Sequence, residues 1–292
     1  MVLSFKVVPH EKLYVSTPNP IYFGNPSNPP VQDPNWTHEN WLQSRFHFSF
    51  AEYRNPENMK FGVLRVINDD LIQPERGFAT HGHNDMEIVT YIVHGELTHE
   101  DSMGNVETLG RGGLQYMTAG TGVEHSEHNN HPEKPLRCIQ TWIVPSEYDL
   151  TPNYGSYRIT DSDLQKKNQW RHLVSNIKNT SAVAPVKINQ DLDCFVAELE
   201  QGVQLTHELL NNRQAYLLCI EGSITMSGHA TSNETAGTQT LRKYDACEIT
   251  GTGGTLVVCA VETETTEQGT ALAHVMLFVM ASDDRAAGRR DL

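Results

Sequence analysis

The sequence predicts an all-β protein built from two antiparallel β-barrels. Three observations carry that prediction: short runs rich in Val, Ile, Tyr and Thr recur along the chain, glycine-rich turns separate them, and the two halves echo each other. The runs are Phe61–Ile67, Glu87–Val93, Leu114–Met117, Ile139–Val144, Ala215–Ile220, Gly254–Val261 and His274–Met280. Turn signals between them include Met103-Gly104-Asn105, Gly110-Arg111-Gly112-Gly113 and Gly251-Thr252-Gly253-Gly254. The echo is a strand that runs into a glycine turn. Ile88–Leu97 passes through Gly95, and Gln214–Ile224 passes through Gly222.

Helical signals are few. A short polar segment, Asp161–Trp170, can open on Asp161 or Ser162 as an N-cap. It lies in a stretch of little periodicity, 146–184, which is expected to link the two barrels. The expected organisation is a first domain over 1–145, the linker 146–184, a second domain over 185–281 and a polar tail over 282–292.

Composition narrows the function. With 292 residues, 38% hydrophobic and 20% charged, the chain has the make-up of a globular protein. A formal net charge of −14 gives no basic face for a nucleic acid, and basic pairs such as Lys166-Lys167 and Arg289-Arg290 are too short to supply one. No run is apolar and long enough to span a bilayer, and Met1–Lys6 lacks a signal-peptide pattern. The cytoplasm is therefore the expected compartment. The five cysteines are widely spaced with no CxxC, so they are expected to be small buried residues.

The histidines are unevenly spread. Of fourteen, seven fall within the 51 residues from His81 to His131. His81-Gly82-His83 puts two imidazoles on one face of a strand, since residues i and i+2 share a face. Asp85 and Glu87 have the same parity. His125-Ser126-Glu127 follows Gly120-Thr121-Gly122 and repeats the arrangement. On neighbouring strands the two pairs would supply three imidazoles and a carboxylate. That set suits iron, zinc, copper, nickel or manganese and suits calcium or magnesium poorly. The expected metal residues are His81, His83, His125 and Glu127. His94, His99, His128 and His131 are read as solvated loop or strand-end residues, and Glu87 as a partner that orients an imidazole.

These segments resemble the pirin family of the cupin superfamily. Gly77–Tyr91 resembles the first cupin motif in its pirin form, Asp101–Asn105 its hairpin and Gln115–Glu127 its second motif. Trp41–Phe50 resembles the family's N-terminal signature. The resemblance is similar in kind to bacterial pirin-like proteins that act as quercetin 2,3-dioxygenases. It implies a bicupin, two jelly-roll barrels, with one metal per chain in the first barrel. Iron(II) is the expected ion, and zinc, nickel, copper, manganese and cobalt suit the same donors. The ligands implied are the four residues already named.

The resemblance also implies an oxidoreductase reaction in which dioxygen opens the heterocyclic ring of a flavonol and releases carbon monoxide. Glu127 would be the catalytic base, with His47 and Glu87 as substitutes if the metal holds Glu127 too firmly. The alternative it implies is non-enzymatic, an iron-dependent sensor that regulates a partner protein. A large pocket above the metal would favour the enzyme, and a sealed site with an apolar patch would favour the sensor. The second barrel is expected to bind no metal, because His207, His229 and His274 form no HxH.

Overall fold

The computed structural model describes residues 3–28, 36, 39–229, 235–265, 269 and 271–283. Almost all regular structure is strand. The strands are β1 (Leu3–Val8), β2 (Tyr14–Ser16), β3 (Leu42–Phe46), β4 (Leu64–Ile72), β5 (Arg76–His83), β6 (Glu87–His94), β7 (Glu96–Asp101), β8 (Val106–Gly110), β9 (Leu114–Thr118), β10 (Val123–Asn129), β11 (Leu136–Ile143) and β12 (Asn153–Tyr157). They continue as β13 (Arg171–Asn176), β14 (Val186–Ile188), β15 (Leu192–Leu199), β16 (Gln204–Leu209), β17 (Arg213–Glu221), β18 (Ser223–His229), β19 (Thr235–Arg242), β20 (Ala246–Gly251), β21 (Gly254–Glu262), β22 (Glu264–Thr265) and β23 (Ala271–Ala281). No helix among the described residues is long and apolar enough to cross a membrane.

The chain forms two compact units, Tyr14–Thr160 and Met1–Leu13 with Asp161–Leu292. In the first, a seven-stranded sheet runs β12-β9-β6-β11-β4-β3-β2 and a four-stranded sheet runs β5-β10-β7-β8. Both sheets give side chains to one core. Leu97 and Leu109 come from the smaller sheet, and Ile72, Ile92, Leu136 and Cys138 from the larger. Burying each such side chain contributes about 1.5–3 kcal/mol.

The second unit repeats this plan. Its larger sheet runs β1-β20-β17-β23-β15-β13-β14, with β22 on β23, and its smaller sheet runs β16-β21-β18-β19. The core is made by inward-facing alternate residues such as Leu217, Cys219, Ile224, Met226, Val275 and Leu277. Among the described residues every strand pairing is antiparallel except β13 with β14. The echo seen in the sequence is structural: Gly95 joins β6 to β7 and Gly222 joins β17 to β18, both at φ +72.

Three sequence expectations differ from the structure. The first residues do not belong to the first domain, because β1 pairs with β20 of the second unit, with Leu3 opposite Gly251 and Val8 opposite Ala246. A partner 238 to 248 residues away leaves no local trace in a six-residue strand. The stretch 146–184 does more than link: β12 adds to β9 of the first unit, and β13 pairs with β15 of the second. Helix in it is confined to one turn, Asp161–Leu164. The run Phe61–Ile67 begins its strand only at Leu64, since Gly62 takes φ +55 and Phe61 closes a tight bridge to Leu64. Of the tail 282–292, only Ser282 and Asp283 lie within the described residues. Four of the five cysteines are buried, Cys259 is half-buried, and all five are free thiols.

The hairpin glycine of the first unit can be tested. A Cβ on Gly95 would lie 2.5 Å from the Pro135 carbonyl oxygen and 3.0 Å from Leu136 Cα, at a φ that side chains rarely adopt. Gly95→Ala should destabilise the protein by about 2–4 kcal/mol, from backbone strain together with overpacking. Gly104, also at positive φ but with nothing within 4 Å, should lose only the strain part, about 1–2 kcal/mol. Denaturant titration of the two variants checks the difference.

Candidate metal centre

The site is built by two strands of the smaller sheet in the first unit. β5 carries His81 and His83 on one face, with exposed Gly82 between them. β10 runs antiparallel to it and places His125 directly across from His81. The three rings therefore converge, with centroids 4.7 Å apart for His81–His83, 4.6 Å for His81–His125 and 4.8 Å for His83–His125. Each offers a ring nitrogen within 4.8 Å of the others.

The donor chemistry fits a metal ion. His81 Nδ1 lies 2.8 Å from the Ala79 carbonyl oxygen, which can only accept. Nδ1 therefore carries the hydrogen, and Nε2 keeps its lone pair. His125 Nε2 is buried with no hydrogen-bond partner among the described residues. Such an orphan is costly unless something binds it. Burial, reinforced by the neighbouring imidazoles, pushes His83 down to about 4 and His125 down to about 3. Both rings are thus neutral at ordinary pH, as a metal ligand must be.

Glu127 stands apart from this trio. It is buried on the same face as His125, as parity requires. Its carboxyl is held by Gln115 Nε2 at 2.6 Å and Gln140 Nε2 at 2.7 Å, with Thr90 Oγ1 at 3.4 Å. The register against β5 shifts between His125 and Glu127, so Glu127 sits opposite Phe78. A Glu127 oxygen gathers with His99 and His125, within 4.8 Å, and not with His81 and His83. Of the four expected ligands, the structure thus clusters three and sets the fourth beside them.

A cavity of about 490 Å³ opens onto the cluster, walled by His81, His83, Glu127 and Gln140 on one side. Phe23, Phe46, Phe50, Phe78 and Trp142 make it largely aromatic. The Trp142 ring meets His83 edge-on at 4.8 Å and Phe50 at 5.2 Å. Ser44, Asn68 and Asp70 form a polar patch. Burial, with help from the charges of Asp69 and Glu127, raises the Asp70 carboxyl to about 7 despite the hydrogen bond from Ser44. Neighbouring Asp69 is instead gripped by both arms of buried Arg137, at 2.8 and 2.6 Å.

Several expectations need correction. His99 is not solvated but buried against His125, because β7 pairs with β10 through the heart of the sheet. His94, His128 and His131 are half-buried. His47 and Glu87 do not line the cavity. His47 is buried and pushed down to about 4 by desolvation, against the pull of Asp69. Glu87 is fully buried, with Thr118 Oγ1 3.3 Å from its carboxyl. Asp85 takes φ +48 and accepts from the Asp149 amide at 2.8 Å, a turn role. Sequence reasoning missed Asp70, Gln115 and Gln140. A carboxylate and two amides on three separate strands carry no spacing signal, although the motif Gln115–Glu127 contained one of them.

Comparison with known proteins agrees with this architecture. A family model described as Pirin matches residues 31–143, and one described as quercetinase C-terminal cupin domain matches 173–268. The chain is 38% identical over 188 residues to the quercetin 2,3-dioxygenase of Escherichia coli K12, covering 64% of this chain and 78% of that one. It is 37% identical over 188 residues to a pirin-like protein of Caulobacter vibrioides, covering 64% and 79%. Among solved structures, YhhW of Escherichia coli superposes with a TM-score of 0.73 at 27% identity, over 96% of this chain and 98% of that chain. The same bacterial pirin has been solved in complex with nickel(II), with a TM-score of 0.72 at 27% identity, over 96% of this chain and all of the other.

The acid patch makes a pH prediction. The folded protein holds the Asp70 proton up to about 7, whereas the ordinary value is 3.8. The native state then binds more protons than the unfolded chain, so stability falls as pH rises through that window. In chelator-treated protein, Asp70→Asn should weaken that fall, seen as a smaller drop in Tm between pH 5 and pH 8. An equal drop in both proteins would remove Asp70 from the account.

Proposed function

Because this chain belongs to the pirin family, we propose that it is a metal-dependent dioxygenase that opens the ring of a flavonol such as quercetin with release of carbon monoxide. The observation that carries this reading is an imidazole cluster opening into an aromatic cavity of about 490 Å³. That volume lies in the range of small-molecule sites, and its aromatic lining suits an aromatic ligand.

His81, His83 and His125 would hold one divalent ion, iron(II) by our proposal, with Glu127 as the fourth group. The nickel(II) complex of the bacterial pirin supports a divalent ion in this fold. When bound, the ion supplies Lewis acidity to an enol oxygen and a redox partner for dioxygen. The aromatic walls orient the substrate and keep water out. Glu127 is the proposed acceptor of the flavonol 3-hydroxyl proton, and Gln115 and Gln140 hold its carboxyl in place. Asp70, on the same cavity, is a second carboxyl for that proton if Glu127 stays engaged with the ion. Five free thiols, four of them buried, fit work in the cytoplasm.

Protein stripped and reloaded with iron(II) should consume oxygen with quercetin and release carbon monoxide. Glu127→Ala should slow uptake by about 10²–10⁴-fold, the usual worth of general base catalysis. His83→Ala should lose the metal while the second unit stays folded. Metal analysis of the intact protein should give one ion per chain. Loaded protein that takes up no oxygen would shift the reading to an iron-dependent regulator of a partner protein.

A further inference from the structure

We propose that His99 and Asp101 are positioning residues that present His125 to the metal through its Nε2 atom, and that His99 is not itself a ligand. The inference rests on the reading of His81, His83 and His125 as metal ligands. It starts from β7, whose pairing with β10 sets Asp101 opposite His125 and His99 opposite Glu127.

Asp101 anchors the chain of contacts. Its carboxyl accepts from the Met103 amide at 2.9 Å, the Asn105 amide at 3.0 Å and Asn105 Nδ2 at 2.9 and 3.1 Å. A carboxyl surrounded by N–H donors is held as the carboxylate, which can only accept. His99 Nε2, 3.1 Å from Asp101 Oδ2, must therefore carry a hydrogen. In the neutral ring this leaves the lone pair on Nδ1. That atom faces His125 Nδ1 at 3.4 Å. Two nitrogens can share one hydrogen bond only if one of them donates, so His125 Nδ1 carries the hydrogen. The lone pair of His125 is then on Nε2, the buried atom that has no hydrogen-bond partner among the described residues.

The rings are fixed as well as their hydrogens. His99 and Asp101 have side chains 1% and 0% exposed. The His99 ring stacks on Tyr154 at 4.5 Å and 18°, and the Tyr154 hydroxyl donates to Glu107 at 3.1 Å. A different group of donors, His99 with His125 and Glu127, also lies within 4.8 Å. It is the weaker candidate, because both His99 nitrogens are already engaged, one by Asp101 and one by His125. Metal on Nε2 makes the Nδ1–H of the same ring a stronger donor, so loading the site should tighten the His125–His99 contact.

The test is nitrogen-15 NMR of the histidine rings in full-length, zinc-loaded protein, with zinc affinity measured alongside. The expected spectrum shows His125 coordinated through Nε2 with Nδ1 protonated, and His99 uncoordinated with its hydrogen on Nε2. Asp101→Asn keeps the shape of the side chain but offers an amide in place of one carboxylate oxygen. It should move the His99 hydrogen and raise the zinc Kd by about 10–100-fold. Asn105→Ala removes the two Asn105 Nδ2 bonds but leaves the Met103 and Asn105 amides on Asp101, so it should raise the zinc Kd less than Asp101→Asn does. A metal-shifted nitrogen on His99, or coordination of His125 through Nδ1, overturns this inference alone. Zinc that does not reach His125 at all overturns it together with the metal reading.

Discussion

The antiparallel register of β5 against β10 is the constraint on which the site depends. With His81 across from His125, two side chains from one strand and one from the next share a single face. A slip of one residue would send His125 to the opposite face and leave Glu124, now exposed, in its place. The register is pinned at the far end by Gly77, where a Cβ would strike the Glu127 carbonyl and lie 2.6 Å from His128 Cα. Any larger residue there would push the strands apart close to Glu127. The register shift between His125 and Glu127 has its own consequence: it lets the histidine face the β5 pair while the glutamate turns to its two glutamine donors.

Electrostatics explains why the polar groups around the site come in sets. The charges of Asp69 and Glu127 both bear on Asp70 within the first barrel. Buried carboxylates of like charge cannot all stay ionised without compensation. The structure meets this in three ways. Asp69 is paired with both arms of Arg137, Asp70 keeps its proton to about 7, and Glu127 is held by neutral amides. None of these places a full positive charge in the cavity wall. A divalent ion on the imidazole trio would therefore be the main positive charge facing the substrate, which favours an ionised enol or phenol over a neutral one.

Much of this was legible in the sequence, for a physical reason. Strand parity is strictly local, so His81-Gly82-His83 and His125-Ser126-Glu127 announced shared faces before any fold was known. The Val- and Ile-rich runs and the Gly95 and Gly222 turns announced the strands in the same way. What stayed hidden depends on pairing across the chain. His99 looked like a strand-end residue because nothing near it in sequence says that β10 will cover it. Leu3–Val8 looked like part of the first domain because its partner strand lies near residue 250. Asp70 drew no notice in the sequence, because only the cavity it lines separates it from its neighbour Asp69.

The second unit shows how little of the chemistry belongs to the fold. By strand order, β16 and β21 occupy the places of β5 and β10. Their register sets His207 opposite Leu256, where the first unit sets His81 opposite His125. Two residues on, Val258 stands where the first unit has Glu127, and both Leu256 and Val258 are buried in the core. His207 packs edge-on against Phe195 at 4.7 Å, and burial lowers its affinity for a proton. At this strand pair the framework therefore sets His125 and Glu127 in one unit and Leu256 and Val258 in the other. Leu256 and Val258 need no polar partner, whereas the imidazoles and the carboxyl at the matching positions of the first unit do. The second unit buries ionisable groups of its own, His274 against Glu221 at 3.0 Å, so burial of polar groups alone does not separate the two units; what separates them is the convergence of three imidazoles on one cavity in the first.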